Sequence, residues 1–408
     1  MGFAVEQECP QCGAPIELEE TDRLIRCPYC NVKNFLFAPD YFRLLLPPKV
    51  SDRDILYAPY MRFKGSVYLC KGTSICHRIV DITRQASTFR QLPVSLGLRP
   101  QAMKMKFVNP GVPGSFLKCS LRRTDELARV AWHSSLAGPG KLVHQAYIGE
   151  AFSLIYLPLF AQQGKLFDAI TNKAIVRLPQ GEDVLAPAIE QNPKWQITFM
   201  ATMCPQCGWD LDGERDSVVL TCSNCDTAWA ASEGKFIRVD FNAVLGGDED
   251  TTYFPFWRIA AWEKGLDIHS YADFIRVTRQ PKVLQRHWEN QDMCFWIPAF
   301  KIRPKLFLHL ARQMTILQKD FDTGEEIPKK KLYPVTLPRH EAVQSMKLTL
   351  ASCAMAKKEV FPLLPQVSFT ARESTLVYLP FNEGGHEMVQ EHTRVAINKR
   401  TLEFGRYL

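Results

Sequence analysis

The chain has 408 residues, of which 46% are hydrophobic and 23% charged, a balance that excludes wholesale disorder. Fifty basic residues against 43 acidic ones leave a formal net charge of +7, which permits contact with nucleic acid or an anionic surface without requiring it. No uncharged apolar run of about 18 residues occurs, so no transmembrane segment is expected. The nearest, Ala146 to Ala161, is interrupted by Glu150 and Pro158 and reads as a buried strand.

The start of the chain, MGFAVEQECPQC, has no basic stretch followed by an apolar core, so no secretory signal is expected. Glu6 stands where a myristoylation pattern needs Ser or Thr. Thirteen cysteines then point to a reducing compartment, and the expectation is a cytoplasmic protein whose thiols bind metal or stay free.

Cys9, Cys12, Cys27 and Cys30 come first, in the form C-x2-C-x14-C-x2-C. Two cysteines three positions apart on a tight turn can aim both thiolates at one ion, and two such turns close a tetrahedron. The residues after the second cysteine of each turn, Gly13 and Asn31, tolerate the left-handed backbone such turns favour. Tyr57 to Arg62 follows as an aromatic segment with a central proline. Cys70, Cys76 and His77 form C-x5-CH, but no partner pair is evident for a third metal site. Met103 to Lys106 alternates as a strand with one basic face, and Asp125 to Leu136 has a weak helical pattern. Leu178 to Pro193 is rich in Pro, Gln, Glu and Asp and suits a connector, with a boundary near Asn192 and Pro193.

The second quartet, Cys204, Cys207, Cys222 and Cys225, repeats the spacing, with Gly208 and Asp226 at the left-handed positions. Gly246 to Thr252 is an acidic loop. Tyr253 to Ile259 and Leu376 to Phe381 are rich in aromatic and β-branched residues and read as strands. Lys329, Lys330 and Lys331 sit in a polar loop. Within Arg339 to Lys358, apolar Ala342, Val343, Met346, Leu350 and Cys353 fall at helical spacing. Gly384 and Gly385 suit a hairpin turn. The proline inside the apolar strands cannot donate to a ladder, and the expectation is an edge or a bulge. Cys119, Cys294 and Cys353 read as core thiols.

The two cysteine-bearing stretches resemble the zinc-ribbon fold group, which includes ribbons of transcription factors and helicases. The resemblance covers those stretches alone. It implies two Zn2+ per chain, each held by four thiolates with no open coordination position, and hence structural ions.

The segments after each quartet recur in order. Tyr57–Arg62 pairs with Tyr253–Arg258, Leu92–Pro100 with Ile297–Pro304, Ser120–Ala128 with Thr336–Val343, and Leu154–Pro158 with Leu376–Pro380. The offset grows from 196 to 222 along the chain, as small insertions in a second copy would make it. The expected fold is therefore α+β and β-rich, in two duplicated halves. Each half is a zinc ribbon followed by a mostly antiparallel β module with one helix. The expected divisions are ribbon 1 at 1–38, module 1 at 39–192, ribbon 2 at 193–240 and module 2 at 241–408.

For function, the sequence holds no phosphate loop, no dinucleotide fingerprint and no spaced histidine ligand set among His133, His144, His269, His287, His309, His340, His386 and His392. No catalytic residue and no small-molecule substrate is identified. Glu17, Glu19, Glu20 and Asp22 face two arginines in the first ribbon, and Asp210, Asp212, Glu214 and Asp216 face one in the second. That is the wrong sign for gripping phosphates. The leading expectation is a non-enzymatic adaptor or accessory subunit of a cytoplasmic assembly, offering acidic hairpins to protein partners. The alternative is a nucleic-acid-binding protein that uses basic surfaces of the β-rich modules, and a third is an enzyme with a site between the halves.

Overall fold

A computed structural model of the chain describes residues 3–89, 91–120, 140–178, 189–190, 195–248 and 250–406. In chain order the first half runs β1 (Ala4–Glu8), β2 (Pro15–Glu19), β3 (Leu24–Arg26), β4 (Lys33–Phe37), β5 (Phe42–Leu45), β6 (Leu56–Lys71) and β7 (Ser74–Gln85). It continues with the one-turn helix α1 (Arg99–Ala102), then β8 (Met105–Phe107), β9 (Ser115–Leu117), β10 (Leu142–Gln162), β11 (Lys165–Asp168), β12 (Ala174–Arg177) and β13 (Ile189–Glu190). All but β3 and β4 belong to one sheet built on the antiparallel pair β6–β10.

The second half runs β14 (Thr198–Ala201), β15 (Val219–Cys222), β16 (Thr227–Ser232), β17 (Lys235–Val239), β18 (Phe241–Val244), β19 (Thr252–Lys264) and α2 (Tyr271–Thr278). Then come β20 (Cys294–Pro298), α3 (Pro304–Leu317), β21 (Thr323–Gly324), β22 (Lys331–Leu332), α4 (Arg339–Cys353), α5 (Lys357–Val360), β23 (Ser368–Gly384), β24 (Glu387–Gln390), β25 (Ala396–Asn398) and α6 (Lys399–Gly405). Its main sheet is built on the antiparallel pair β19–β23. The β-rich α+β class expected from sequence is what the fold shows.

The eight strands of the second main sheet match eight of the eleven in the first. The long antiparallel pair takes a parallel short strand on one side in each half, β5 on β10 and β18 on β23. A second parallel short strand lies on the other long strand, β9 on β6 and β22 on β19. Registers match as well as order. Tyr57 faces Pro158 as Tyr253 faces Pro380. Each pair carries a bulge near the same place, flanked by Lys64–Ala151 and Ser66–Ile148 in one half and by Ala260–Glu373 and Ala261–Ala371 in the other. The turn after each third strand also repeats. Asn172 and Arg394 both adopt positive φ, 55° and 56°, and donate to the carbonyls of Asp168 and Gln390 at 2.8 Å.

The strand prolines are neither at an edge nor at these bulges. Pro59 lies between the end of the β9 pairing at Tyr57 and the start of the β7 pairing at Tyr60. Pro158 lies where the neighbour of β10 changes from β5 to β11. Pro255 and Pro380 repeat both positions in the second half. A strand residue presents its N–H and C=O on the same side, and the Pro59 and Pro158 carbonyls still accept from Ala86 and Ala169 at 2.9 and 3.0 Å. The missing N–H thus falls where one neighbour has ended and the next has only begun, so a central strand tolerates the proline.

The helix expected at Arg339 to Lys358 forms as α4, ending at Cys353. It is buried nearly all round, with Ser345, Leu348, Thr349 and Ala351 inside as well as the expected Ala342, Met346, Leu350 and Cys353, while Val343 is half-buried, because it packs against β10, β20, β23 and α3. The second half also carries α2, α3 and α6, which the sequence pattern did not mark. Asp125 to Leu136 lies outside the described residues, as does the Asn192–Pro193 boundary. Tyr68, Cys70, Ala146 and Ile148 of the first half join the core of the second, so the halves pack on each other.

Candidate metal centres and the cleft between the halves

Both cysteine quartets assemble. In each, the four sulfurs lie within 4.8 Å of one another. The cross-turn pairs are Cys9–Cys30 and Cys12–Cys27 at 3.7 Å, Cys204–Cys225 at 3.6 Å and Cys207–Cys222 at 3.5 Å. A tetrahedral ion with M–S distances of about 2.3 Å needs S–S separations of roughly 3.8 Å, so the clusters fit a four-thiolate metal ion and leave it no open position.

The turns explain the placement. Gly13 and Gly208 donate to the carbonyls of Cys9 and Cys204 at 2.9 Å, and Asn31 donates to that of Cys27 at 2.9 Å. Gly13, Asn31, Gly208 and Asp226 all have positive φ, 73°, 60°, 75° and 47°, as their residue types foretold. Backbone N–H groups aim at the sulfurs. The Cys30 N–H, outweighing desolvation and helped by that of Tyr29, brings the Cys27 pKa down to about 6. Burial pushes the Cys204 thiol up, but the N–H groups of Cys207 and Gln206 and the Thr227 hydroxyl prevail and bring it to about 6. Donors that favour thiolate also favour metal.

Sequence reasoning missed Thr227. Its Oγ1 lies 3.2 Å from the Cys225 sulfur and accepts from Trp229 Nε1 at 2.8 Å, which leaves the hydroxyl proton for sulfur. The matching position of the first ribbon is Val32. A hydroxyl two residues after the last ligand was the available signal.

The ribbons are not free hairpins. β4 of the first pairs with β14, which leads into the second. The N–H groups of Arg23 and Leu24 donate to the Arg215 carbonyl at 2.6 and 2.9 Å, and Lys33 pairs with Asp212 at 2.6 Å. Most of the hairpin acids face cations of the chain itself, while Glu17, Asp212 and Glu214 remain more than half exposed. Glu20 lies between Arg62 and Lys64, Asp22 pairs with Arg215, Asp216 with Arg406 and Glu17 with Lys104.

Among the described residues no other group of three His, Cys, Asp or Glu side chains converges on a metal position. Cys70 faces Ile75 across the β6–β7 pairing while Cys76 faces Leu69, so alternation puts the two thiols on opposite faces. Cys70 and Cys353 are core thiols whose pKa burial pushes up to about 12, Cys294 is raised by the same cause, and Cys119 packs partly exposed on the first core. Tyr253, Phe254, Phe256 and Trp257 are core residues, and Trp262 is exposed. His133 lies outside the described residues.

A cleft of about 1350 Å³ opens between the ribbons and the two main sheets. Cys225 and Asp226 of the second metal turn form part of its wall, with Arg23, Lys301, Glu341 and Arg372 from elsewhere. Asp226 Oδ1 accepts the N–H of Ile327 at 3.0 Å and so ties that turn to the second module. No helix among the described residues is long and apolar enough to cross a membrane. Fold and centres together define a β-rich protein with two four-thiolate sites. Comparison with protein-family models, with curated proteins and with solved structures gave no match.

Proposed function

We propose that both quartets hold Zn2+ as permanent structural ions. The carrying observation is the convergence of four sulfurs twice, each set closed by N–H donors and without room for a substrate. Zinc suits a four-sulfur tetrahedron, and no redox partner motif argues for iron. On this reading the chain is a duplicated protein whose parts are ribbon 1 at 1–38, module 1 at 39–192, ribbon 2 at 193–240 and module 2 at 241–408. The repeated registers of β6–β10 and β19–β23 support the duplication.

The protein then acts as a non-enzymatic adaptor or accessory subunit of a cytoplasmic assembly. Thirteen cysteines with no disulfide among them suit that compartment. Beside their acids the ribbons present the aromatic tips Tyr29 and Trp209, 67% and 58% exposed next to the cysteine turns. Such residues anchor protein partners. The test is a pull-down of the tagged protein from its own cells, with and without nuclease, read by mass spectrometry. Specific partners that persist after nuclease and are lost with Tyr29→Ala plus Trp209→Ala support the adaptor. Loss of every partner after nuclease, with nucleic acid in the untreated eluate, overturns it in favour of nucleic-acid binding.

A further inference from the structure

The second ribbon ends in an open strand edge. Glu233 and Gly234, both at positive φ, 50° and 75°, join β16 to β17, so the hairpin closes on a two-residue loop and Ser232 and Lys235 form its hydrogen-bonded pair. From there the ladder alternates. Lys235, Ile237 and Val239 turn their N–H and C=O groups to β16, and Phe236 and Arg238 turn theirs away. The Asp240 carbonyl, next in that alternation, accepts from the Leu376 N–H at 2.8 Å. That bond opens the parallel pairing of β18 with β23, which begins at Phe241 and Leu376.

On the other side of Asp240 the two strands part. Ser374 lies two residues before Leu376 and shares its side of β23, the side turned away from β19. In a continued ladder its N–H would reach the Arg238 carbonyl and its carbonyl the Asp240 N–H. Neither bond forms. The result is a fork with β17 as one prong and β23 as the other. Among the described residues the backbone groups of Phe236 and Arg238 that face away from β16, and those of Ser374 that face away from β19, have no partner. The Ser374 hydroxyl is also buried without a hydrogen bond.

The fork opens into the cleft of about 1350 Å³, which Ile237, Arg238, Val239 and Ser374 line. Pockets for drug-sized ligands measure roughly 300–1,000 Å³, so this one has room for a length of chain. Phe37, Tyr41, Phe152 and Phe241 lie half-buried in its wall, and Ile237 is 48% exposed. The rim has both signs of charge, Arg238 and Arg372 among Asp240 and Glu373, so charge does not select the occupant. The backbone does. N–H and C=O groups alternating along a strand edge are matched by another extended backbone, and alternate side chains of that segment then meet the wall. The first ribbon already takes an added strand from a remote segment, β14 on β4.

We propose that the fork is a docking site for an extended polypeptide segment of a protein partner. The segment adds as a strand to the free edge of β17 and sets alternate apolar side chains against Ile237 and the aromatic wall. This goes beyond the adaptor reading, because the site is separate from the tips Tyr29 and Trp209 and stands or falls without them.

The test selects short random peptides displayed on phage against the zinc-loaded full chain and measures the affinity of those enriched. Arg238→Pro removes the one N–H that points away from β16 and leaves the hairpin ladder whole. Arg238→Ala keeps that N–H and removes only the guanidinium with its bond to Gln206. Proline weakens binding about tenfold or more, alanine changes it less than about threefold, and Tyr29→Ala with Trp209→Ala leaves it unchanged. Hydrogen exchange at Phe236 and Arg238 slows when the peptide binds. Peptides that bind the proline variant as tightly as the parent overturn the proposal, and so does a selection that enriches none. A second reading needs no variant. N-methylation stepped along the peptide abolishes binding at every other position when a strand is added, and an even response overturns the proposal. A dimer of the free chain that Arg238→Pro dissolves assigns the edge to a second copy and overturns the peptide site.

Discussion

The two ribbons share ligands, spacing and turn hydrogen bonds, yet the rest of the chain holds them differently. The first is continuous with the large sheet of its own half: β1 pairs with β2 and with β8, and Cys9 and Cys27 lie in the same apolar core as Phe3, Leu44 and Ile155. The second has its own small sheet, β15–β16–β17, and its buried cysteines Cys204 and Cys222 pack on Leu24 and Phe35 of the first ribbon. One metal turn is a corner of a domain, and the other is a wedge between ribbons that also walls the cleft. Identical coordination chemistry therefore does not imply identical consequences when the ion is lost. What unfolds is set by the core each turn belongs to.

The largest expected effect breaks that comparison at the first site. Cys9→Ser with Cys12→Ser removes one of two ions and releases β1 and β2 from the large sheet, and the thermal midpoint falls by roughly 10 °C or more. Next comes Cys204→Ser with Cys207→Ser, which also reduces bound zinc from two ions to one. Here hydrogen exchange speeds up in β15–β17 and in the β4–β14 pairing while the β6–β10 ladder stays protected. If both double variants collapsed the whole chain alike, the contrast between corner and wedge would be gone. If the second variant kept both ions, the ligand assignment would be wrong.

A third prediction moves the comparison to the bodies. Arg62 is fully buried, paired with Glu20 and with Asp81 at 2.9 Å, whereas its counterpart Arg258 is exposed. Arg62→Ala leaves Glu20 with a weak partner in Lys64 at 3.6 Å and costs about 3–5 kcal/mol in chemical denaturation. Arg258→Ala stays within about 0.5 kcal/mol. Equal costs would mean that the buried network contributes nothing particular to the first half.

The smallest effect concerns the junction of the halves. His144 on β10 has its pKa brought down to about 4 by burial and by Lys347 of α4, against an ordinary 6.5. The folded state keeps this imidazole neutral while the unfolded chain protonates it, so its contribution is fully present above 6.5 and is lost as pH falls toward 4. His144→Leu should flatten the difference in urea midpoint across that window. Parallel curves for the two proteins would exclude His144 as a source of the acid sensitivity.

Local chemistry was legible. The quartets, the left-handed residues Gly13, Asn31, Gly208 and Asp226, the helix α4 and the hairpin at Gly385 with its φ of 51° all depend on neighbours within a turn or two. The repeated segments were legible because an offset between like motifs needs no knowledge of space. The strand prolines were misread because an N–H position says nothing of which neighbour ends there. The ion-pair partners of the hairpin acids were not legible because they are remote: Asp22 meets Arg215 across 193 positions.

By itself, then, the amino-acid order determined two four-cysteine clusters able to hold a metal and a β-rich chain. Coordination needs only short turns, and strand patterning needs only alternation. Only the tertiary structure decided that the ribbons pair with each other, that Asp22 meets Arg215 and Asp216 meets Arg406, and that a cleft opens between the ribbons and the main sheets. Those are contacts between residues hundreds of positions apart. Their geometry is set by which sheet faces which, and no local spacing encodes that.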